Sequence, residues 1–205
     1  MPQPSARPTR RTQRERREAS IEKLVDAAIE TIQEDGYYRT TVAAISERAG
    51  LSGGGLFRHF DSRLALISRV AEEVSDRILD AYAASKDHLR AQPAPLRAGL
   101  GFLAQAVASP LVAVWHELMV AARTDEELRE LIAPAIAKFY EGILEHTRAN
   151  GLLDDVPEES RELALFSMVH MFSGAALTGS VYPRPDLDDK RIPLAEYYTL
   201  HTPIL

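Results

Sequence analysis

The chain has 205 residues, 45% hydrophobic and 26% charged, the composition of a globular protein with room for one sizeable domain or a small domain joined to a medium one. It has no cysteine, which excludes disulfides, thiol redox sensing, thiolate metal sites and a cysteine nucleophile. Its net charge of −6 argues against indiscriminate coating of nucleic acid, yet residues 1–17 hold six arginines against one glutamate, a local +5 that leaves −11 on the rest.

No apolar run approaches the roughly 18 residues needed to span a bilayer. No apolar segment follows the basic start at signal-peptide spacing. A cytoplasmic protein without a membrane partner is expected.

Residues 1–12 are poor in apolar side chains and are expected to form a mobile basic arm. From 13 to 35, Ile21, Leu24, Val25, Ala28 and Ile32 recur at spacings of three and four, which predicts a helix with one apolar stripe, stopped at Gly36. A short helix follows from Thr41 to Ala49, with Thr40 or Thr41 as N-cap and Gly50 as its end. Ser52 then offers the next N-cap, and Leu51 and Leu56 occupy hydrophobic-staple positions around it. Asp61 and Ser62 cap a long helix reaching toward residue 90. Two short helices separated by a glycine-containing turn and packed behind a longer one make a helix-turn-helix pattern.

The helical period continues beyond 90. It resumes at Leu96–Val107 after Pro93 and Pro95, and Ser109-Pro110 reads as N-cap plus first-turn proline of a helix to Arg123. Thr124 and Glu127 have capping-box spacing before an apolar stripe that runs from Leu128 to Ile143, with Pro134 expected to kink it and Asn150-Gly151 to end it. Pro157 opens a helix to Ser180 that is apolar nearly all round, as expected of a helix buried on both sides. A loop containing Pro183, Pro185 and Pro193 is expected before a short last helix at Leu194–Leu200. The fold class expected is all-α: a three-helix helix-turn-helix domain over 13–63 and a larger helical domain over 64–205.

The stretch from Ile21 to Phe60 resembles the DNA-binding domain of the TetR family of bacterial transcriptional regulators. The residues that carry the resemblance are Ala27-Ala28, Gly36-Tyr37, Thr40-Thr41-Val42, Ile45, Ala49-Gly50-Leu51-Ser52, Gly54, Leu56-Phe57 and His59-Phe60, continued by Ser62-Arg63 and Leu66. The resemblance implies a dimeric regulator that binds double-stranded operator DNA and responds to a small-molecule effector, without a cofactor or metal. It implies DNA contacts from Thr40, Thr41, Ser52, Gly53, Gly54, Gly55, Phe57, Arg58, His59 and Arg63, with Arg14 and Arg17 of the basic segment assisting.

Three features depart from the family pattern. Gly53, Gly54 and Gly55 stand where the family has one glycine among larger side chains, Phe57 replaces a commoner tyrosine, and Arg63 replaces a lysine. Each helical glycine costs about 1 kcal/mol relative to alanine. The recognition helix is therefore expected to be weak, to approach the groove closely by its backbone, and to leave reading to Ser52, Arg58, the arginine arm and DNA shape. Arg63 is expected to reach a phosphate in bidentate geometry.

In the C-terminal part the resemblance implies an effector cavity and a dimer interface. Trp115, His116, Met119, Phe139, Phe166 and His170 are the expected cavity lining, since aromatic and methionine walls with few polar groups suit an apolar ligand. Gly174, Ala175, Ala176 and Gly179 would admit a partner helix. A protein partner in place of a ligand, or no ligand at all, is the alternative input. Enzymatic function finds no support: there is no His-x-x-x-His helix, no phosphate-binding glycine loop and no Gly-x-Ser-x-Gly, and His116-Glu117 and His146 are too scattered for a metal site.

Overall fold

The computed structural model describes residues 12–201. The arm expected at 1–12, with Arg7, Arg10 and Arg11, lies almost wholly outside those residues. The described residues form helices and no strand: α1 (Gln13–Asp35), a 3-10 turn (Tyr37–Arg39), α2 (Val42–Arg48), α3 (Gly53–Leu56), α4 (Arg63–Arg90), α5 (Pro95–Val107), α6 (Pro110–Ala122), α7 (Glu126–Asn150), α8 (Glu158–Gly179) and α9 (Pro185–His201). No single helix is long and apolar enough to cross a membrane; α5 and α6 meet that test only as a pair bent by 67°.

Local chemistry accounts for most helix starts. Thr12 and Glu15 form a capping box at α1. The Thr41, Ser62 and Ser109 hydroxyls accept from the backbone N–H groups of Ala44, Ala65 and Val112, so α2, α4 and α6 begin where a hydroxyl can satisfy an open donor. Pro110 then fills the first turn of α6, where a missing N–H does no harm. Gly151 ends α7 in the left-handed region at φ 65°.

Two expectations need correction. The N-cap of α7 is Asp125, which accepts from Leu128 N–H at 3.0 Å, not Thr124 in a capping box; the carboxylate one residue later does the same work with a full charge at the helix start. The last helix is far longer than Leu194–Leu200. It starts at Pro185 and runs through Pro193, because Ile192, Ala195 and Thr199 share one inward face and their packing on α5 outweighs the hydrogen bond lost at Pro193. One side of α8 stays open within a single chain, the condition for the partner helix expected beside it. Ala164, Val169 and Phe172 are buried, but Leu163 and Leu177 are 56% and 51% exposed. α7 itself continues through Pro134 as one element.

The core does not divide at residue 63. One buried cluster runs from Leu24, Ile32, Ile45 and Leu56 of the first three helices through Leu66, Val70 and Val74 of α4 to Trp115 and Leu118 of α6 and Ile132 and Phe139 of α7. α4 lies along α7, and the Leu79 side chain fills the space beside Gly142, where a Cβ would stand 2.6 Å from its Cδ1. α6 packs against α1 and the 3-10 turn, while α8 and α9 pack on α5.

Candidate functional site

Two sites emerge, an exposed helical end and an internal cavity. At the first, α2 and α3 form the pair expected for a helix-turn-helix. Leu56 is fully buried and Leu51 half-buried in the core below them, as a staple requires. Ser52 holds the N-cap position of α3, but its hydroxyl accepts no backbone bond. α3 is a single turn of four residues, continued by a turn at Phe57–His59. Three glycines explain its brevity, since none supplies a side chain to pack and each loses more backbone freedom on folding than alanine. No atom lies within 4 Å of where a Cβ would stand on Gly53 or Gly54, so both present bare backbone to solvent.

Around that turn the structure sorts the candidate DNA-contacting residues. Thr41, Ser52, Gly53, Gly54, Phe57 and Arg58 are exposed, as are Arg14 and Arg17 on the first turns of α1. Gly55 and His59 are half-buried. Thr40 is fully buried and its hydroxyl donates to the Gly36 carbonyl at 2.9 Å, so its role is internal. Arg63 is likewise turned inward. Its Nε donates to the Thr40 carbonyl at 2.7 Å, one terminal nitrogen donates to the Tyr37 carbonyl at 2.8 Å, and the other to the Tyr37 hydroxyl at 3.2 Å. The guanidinium also lies 4.5 Å from the centre of the Tyr37 ring. The fork that was expected to hold a phosphate instead clamps the 3-10 turn to the start of α4.

The same turn is held from the other side. Tyr37 N–H donates to Glu117 Oε2 of α6 at 3.0 Å. Gly36 makes this contact possible: its φ of 79° is open mainly to glycine, and a Cβ there would come 3.2 Å from the same carboxylate oxygen. Glu117 was absent from the residues expected to matter. No signal in the sequence announces it, because its partner is a backbone group 80 positions away.

The second site is a cavity of about 460 Å³ lined by α4 to α8 with Thr199 of α9, within the usual range for small-molecule sites. Of the expected lining residues, Trp115, His116, Met119, Phe139 and His170 reach it. Phe166 does not line it; its ring packs edge-on to Tyr140 at 5.2 Å and stacks with His170 at 6.5 Å, behind the wall. Trp115 and Phe139 meet at 4.6 Å between ring centres. Burial holds the His116 imidazole below its ordinary pKa and pushes the Tyr140 hydroxyl up, so both are neutral near pH 7.

Tyr82 and Thr147 also line the cavity, and their oxygens lie 2.9 Å apart. Sequence reasoning passed over this pair, although Thr147 extends the stripe of Phe139 and Ile143 at a spacing of four, where a hydroxyl among apolar positions is a readable signal. Among the described residues no group of three or more His, Asp or Glu side chains could hold a metal ion.

Comparison with known proteins agrees with this geometry. The family described as "Bacterial regulatory proteins, tetR family" matches residues 24–70, which span α1 to α4. An uncharacterized HTH-type transcriptional regulator of Mycobacterium tuberculosis (strain H37Rv) is 38% identical over 90% of this chain and 94% of its own. Among crystal structures, the multidrug binding protein EbrR complexed with imidazole superposes with a TM-score of 0.66 at 15% identity, covering 90% of this chain and 96% of that one. The transcriptional regulator FadR of Bacillus subtilis, in complex with stearoyl-CoA, superposes with a TM-score of 0.58 at 15% identity, covering 85% of this chain and 96% of that one. At such identity the structural matches speak for the fold, while the relative and the profile speak for kinship. The chain belongs to the TetR family of bacterial transcriptional regulators, which are not enzymes.

Proposed function

We propose that this protein is a cytoplasmic, homodimeric repressor that binds a palindromic operator and is released from it by a small, apolar effector. The observation that carries the reading is the position of α6. Trp115, His116 and Met119 of that helix line the cavity, while Glu117 between them holds Tyr37, the residue that Arg63 clamps to the helix-turn-helix. An effector that shifts α6 shifts the turn carrying α2 and α3. Its leverage is the difference in its affinity for the two arrangements, typically about 1–3 kcal/mol.

The exposed Thr41, Ser52, Gly53, Gly54 and Arg58 are the DNA-facing groups in this reading, with phosphates held by Arg14 and Arg17 and the groove met by glycine backbone. The uncovered faces of α8 and α9 supply the dimer interface: Leu163, Leu177, Leu194, Tyr197 and Tyr198 are each between 47% and 59% exposed. Gly174, with nothing within 4 Å of a Cβ, lies on the same helix and leaves room for a partner. The cavity favours a small molecule over a protein partner as the input, because a protein would need a groove open along its length.

Selection of bound duplexes from a random pool, followed by salt titration, tests the reading. A palindrome with half-sites one helical turn apart, about 34–36 Å, and a steep fall in affinity with salt is the expected result. No preference for any duplex over random competitor at low salt would overturn it.

A further inference from the structure

The polar groups of the cavity point to a narrower class of ligand than apolarity alone. Resting on the small-molecule reading above, we propose that the cavity takes an uncharged, hydrocarbon-rich molecule carrying a carbonyl-type oxygen, held by the Tyr82–Thr147 pair.

Charge comes first. The cavity wall contains no Asp, Glu, Lys or Arg. A cationic ligand would find no carboxylate, and an anionic one no guanidinium or ammonium group. Burying either without a counter-charge costs several kcal/mol that a hydrophobic wall does not return. Of the titratable groups that face the cavity, burial holds three neutral: the His116 imidazole is pushed down, and the Tyr82 and Tyr140 hydroxyls are pushed up; His170, the fourth, is solvent-exposed.

Hydrogen bonding then narrows the class. Tyr82 and Thr147 bring two hydroxyl hydrogens to a single bond at 2.9 Å, so one donor hydrogen is left over whichever oxygen donates. Asn150, 3% exposed, flanks the Tyr82 hydroxyl from behind the wall. This end of the cavity therefore keeps at least one hydroxyl hydrogen open. Thr199, 8% exposed and also in the wall, has a hydroxyl without a partner. Buried polar groups left open in this way call for an acceptor from outside the chain. A ketone, ester or aldehyde oxygen supplies one without adding charge, and the Ile78, Leu100, Phe102 and Leu103 side chains enclose its hydrocarbon.

The chain's one tryptophan, Trp115, lies in the wall and reports entry directly. The test is a titration of the full-length protein at about pH 8, where histidines are neutral, with four probes of nine carbons: 2-nonanone, nonane, nonanoate and hexyltrimethylammonium. Trp115 fluorescence and thermal stability are the readouts. 2-Nonanone is expected to bind, with nonanoate and hexyltrimethylammonium well behind it. Tyr82→Phe with Thr147→Val should weaken 2-nonanone about tenfold, as loss of one hydrogen bond to a buried group gives, while leaving nonane unchanged, which also shows that the variant is folded. A 2-nonanone affinity unmoved by the double substitution overturns the anchor. Nonanoate or hexyltrimethylammonium binding more tightly than 2-nonanone overturns the proposal and leaves the small-molecule reading standing. No binding of any of the four, with Trp115 unchanged, overturns both.

Discussion

Arg63 and Glu117 act on one backbone segment from opposite sides. Arg63 satisfies the carbonyls of Tyr37 and Thr40, and Glu117 satisfies the Tyr37 N–H. Lysine at 63 would keep the charge but could not serve three acceptors from one planar group. Arg63→Lys should therefore destabilise the protein by about 1–2 kcal/mol, the range for hydrogen bonds to a charged group that is half exposed; a thermal melt reads this, with operator affinity falling in parallel. Glu117→Ala removes the tie between α6 and the turn. The expected outcome is nearly unchanged affinity for operator without ligand and a reduced loss of affinity on adding ligand, measured by fluorescence anisotropy with and without a saturating cavity ligand. His116 gives a pH signature. Its imidazole is held below the ordinary value near 6.5 by burial, so the unfolded chain takes up the proton first as pH falls. The neutral imidazole thus favours folding only above about that value, and stability drops as pH descends through it toward the lower folded pKa. His116→Gln should flatten part of that fall between about pH 7 and pH 5 in melts of the two proteins side by side.

At the scale of elements, α3 is the weak one. Four residues, three of them glycine, make a single turn anchored by Leu56. Gly53→Ala meets no neighbour in this fold, so it should leave the fold intact or raise its stability by up to about 1 kcal/mol. If the bare backbone is what approaches the groove, the same substitution lowers operator affinity. Opposite signs in a melt and in a DNA titration are the expected pattern; unchanged affinity would remove close approach from the account of recognition. The contact of α4 with α7 is the strong counterpart. A Cβ at 142 would overlap the end of the Leu79 side chain, which borders the cavity and can swing into it, so Gly142→Ala should leave the melting temperature little changed while shifting the variant's Trp115 emission without ligand.

For the whole molecule, the buried cluster that passes from α1 to α7 joins the DNA-facing end to the wall of the cavity through α4 and α6. A change in cavity shape has no soft boundary at residue 63 in which to dissipate. The exposed leucines and tyrosines of α8 and α9 fall at the far end of the chain from α3 in sequence and face outward. Leu177→Glu combined with Tyr197→Glu should halve the molar mass in sedimentation equilibrium and weaken operator binding, because a lone subunit engages one half-site only.

How far the residues alone carry the account can be read position by position. The helix starts at Gln13, Val42, Arg63 and Pro110 follow from hydroxyl and proline chemistry that acts within three or four residues, and the order from Ala27 to Leu66 sufficed to name the family. Five of the six residues expected from aromatic and polarisable side chains on apolar stripes line the cavity. What folding alone decided are the pairings across distance. Phe166 turned behind the wall, Arg63 and Thr40 turned inward, Glu117 met Tyr37, and α9 ran on through Pro193 because its inner face found α5. Local signals fall off within a helical turn, whereas these contacts exist only once separate helices are brought side by side and buried polar groups must find whatever partner the packing leaves them.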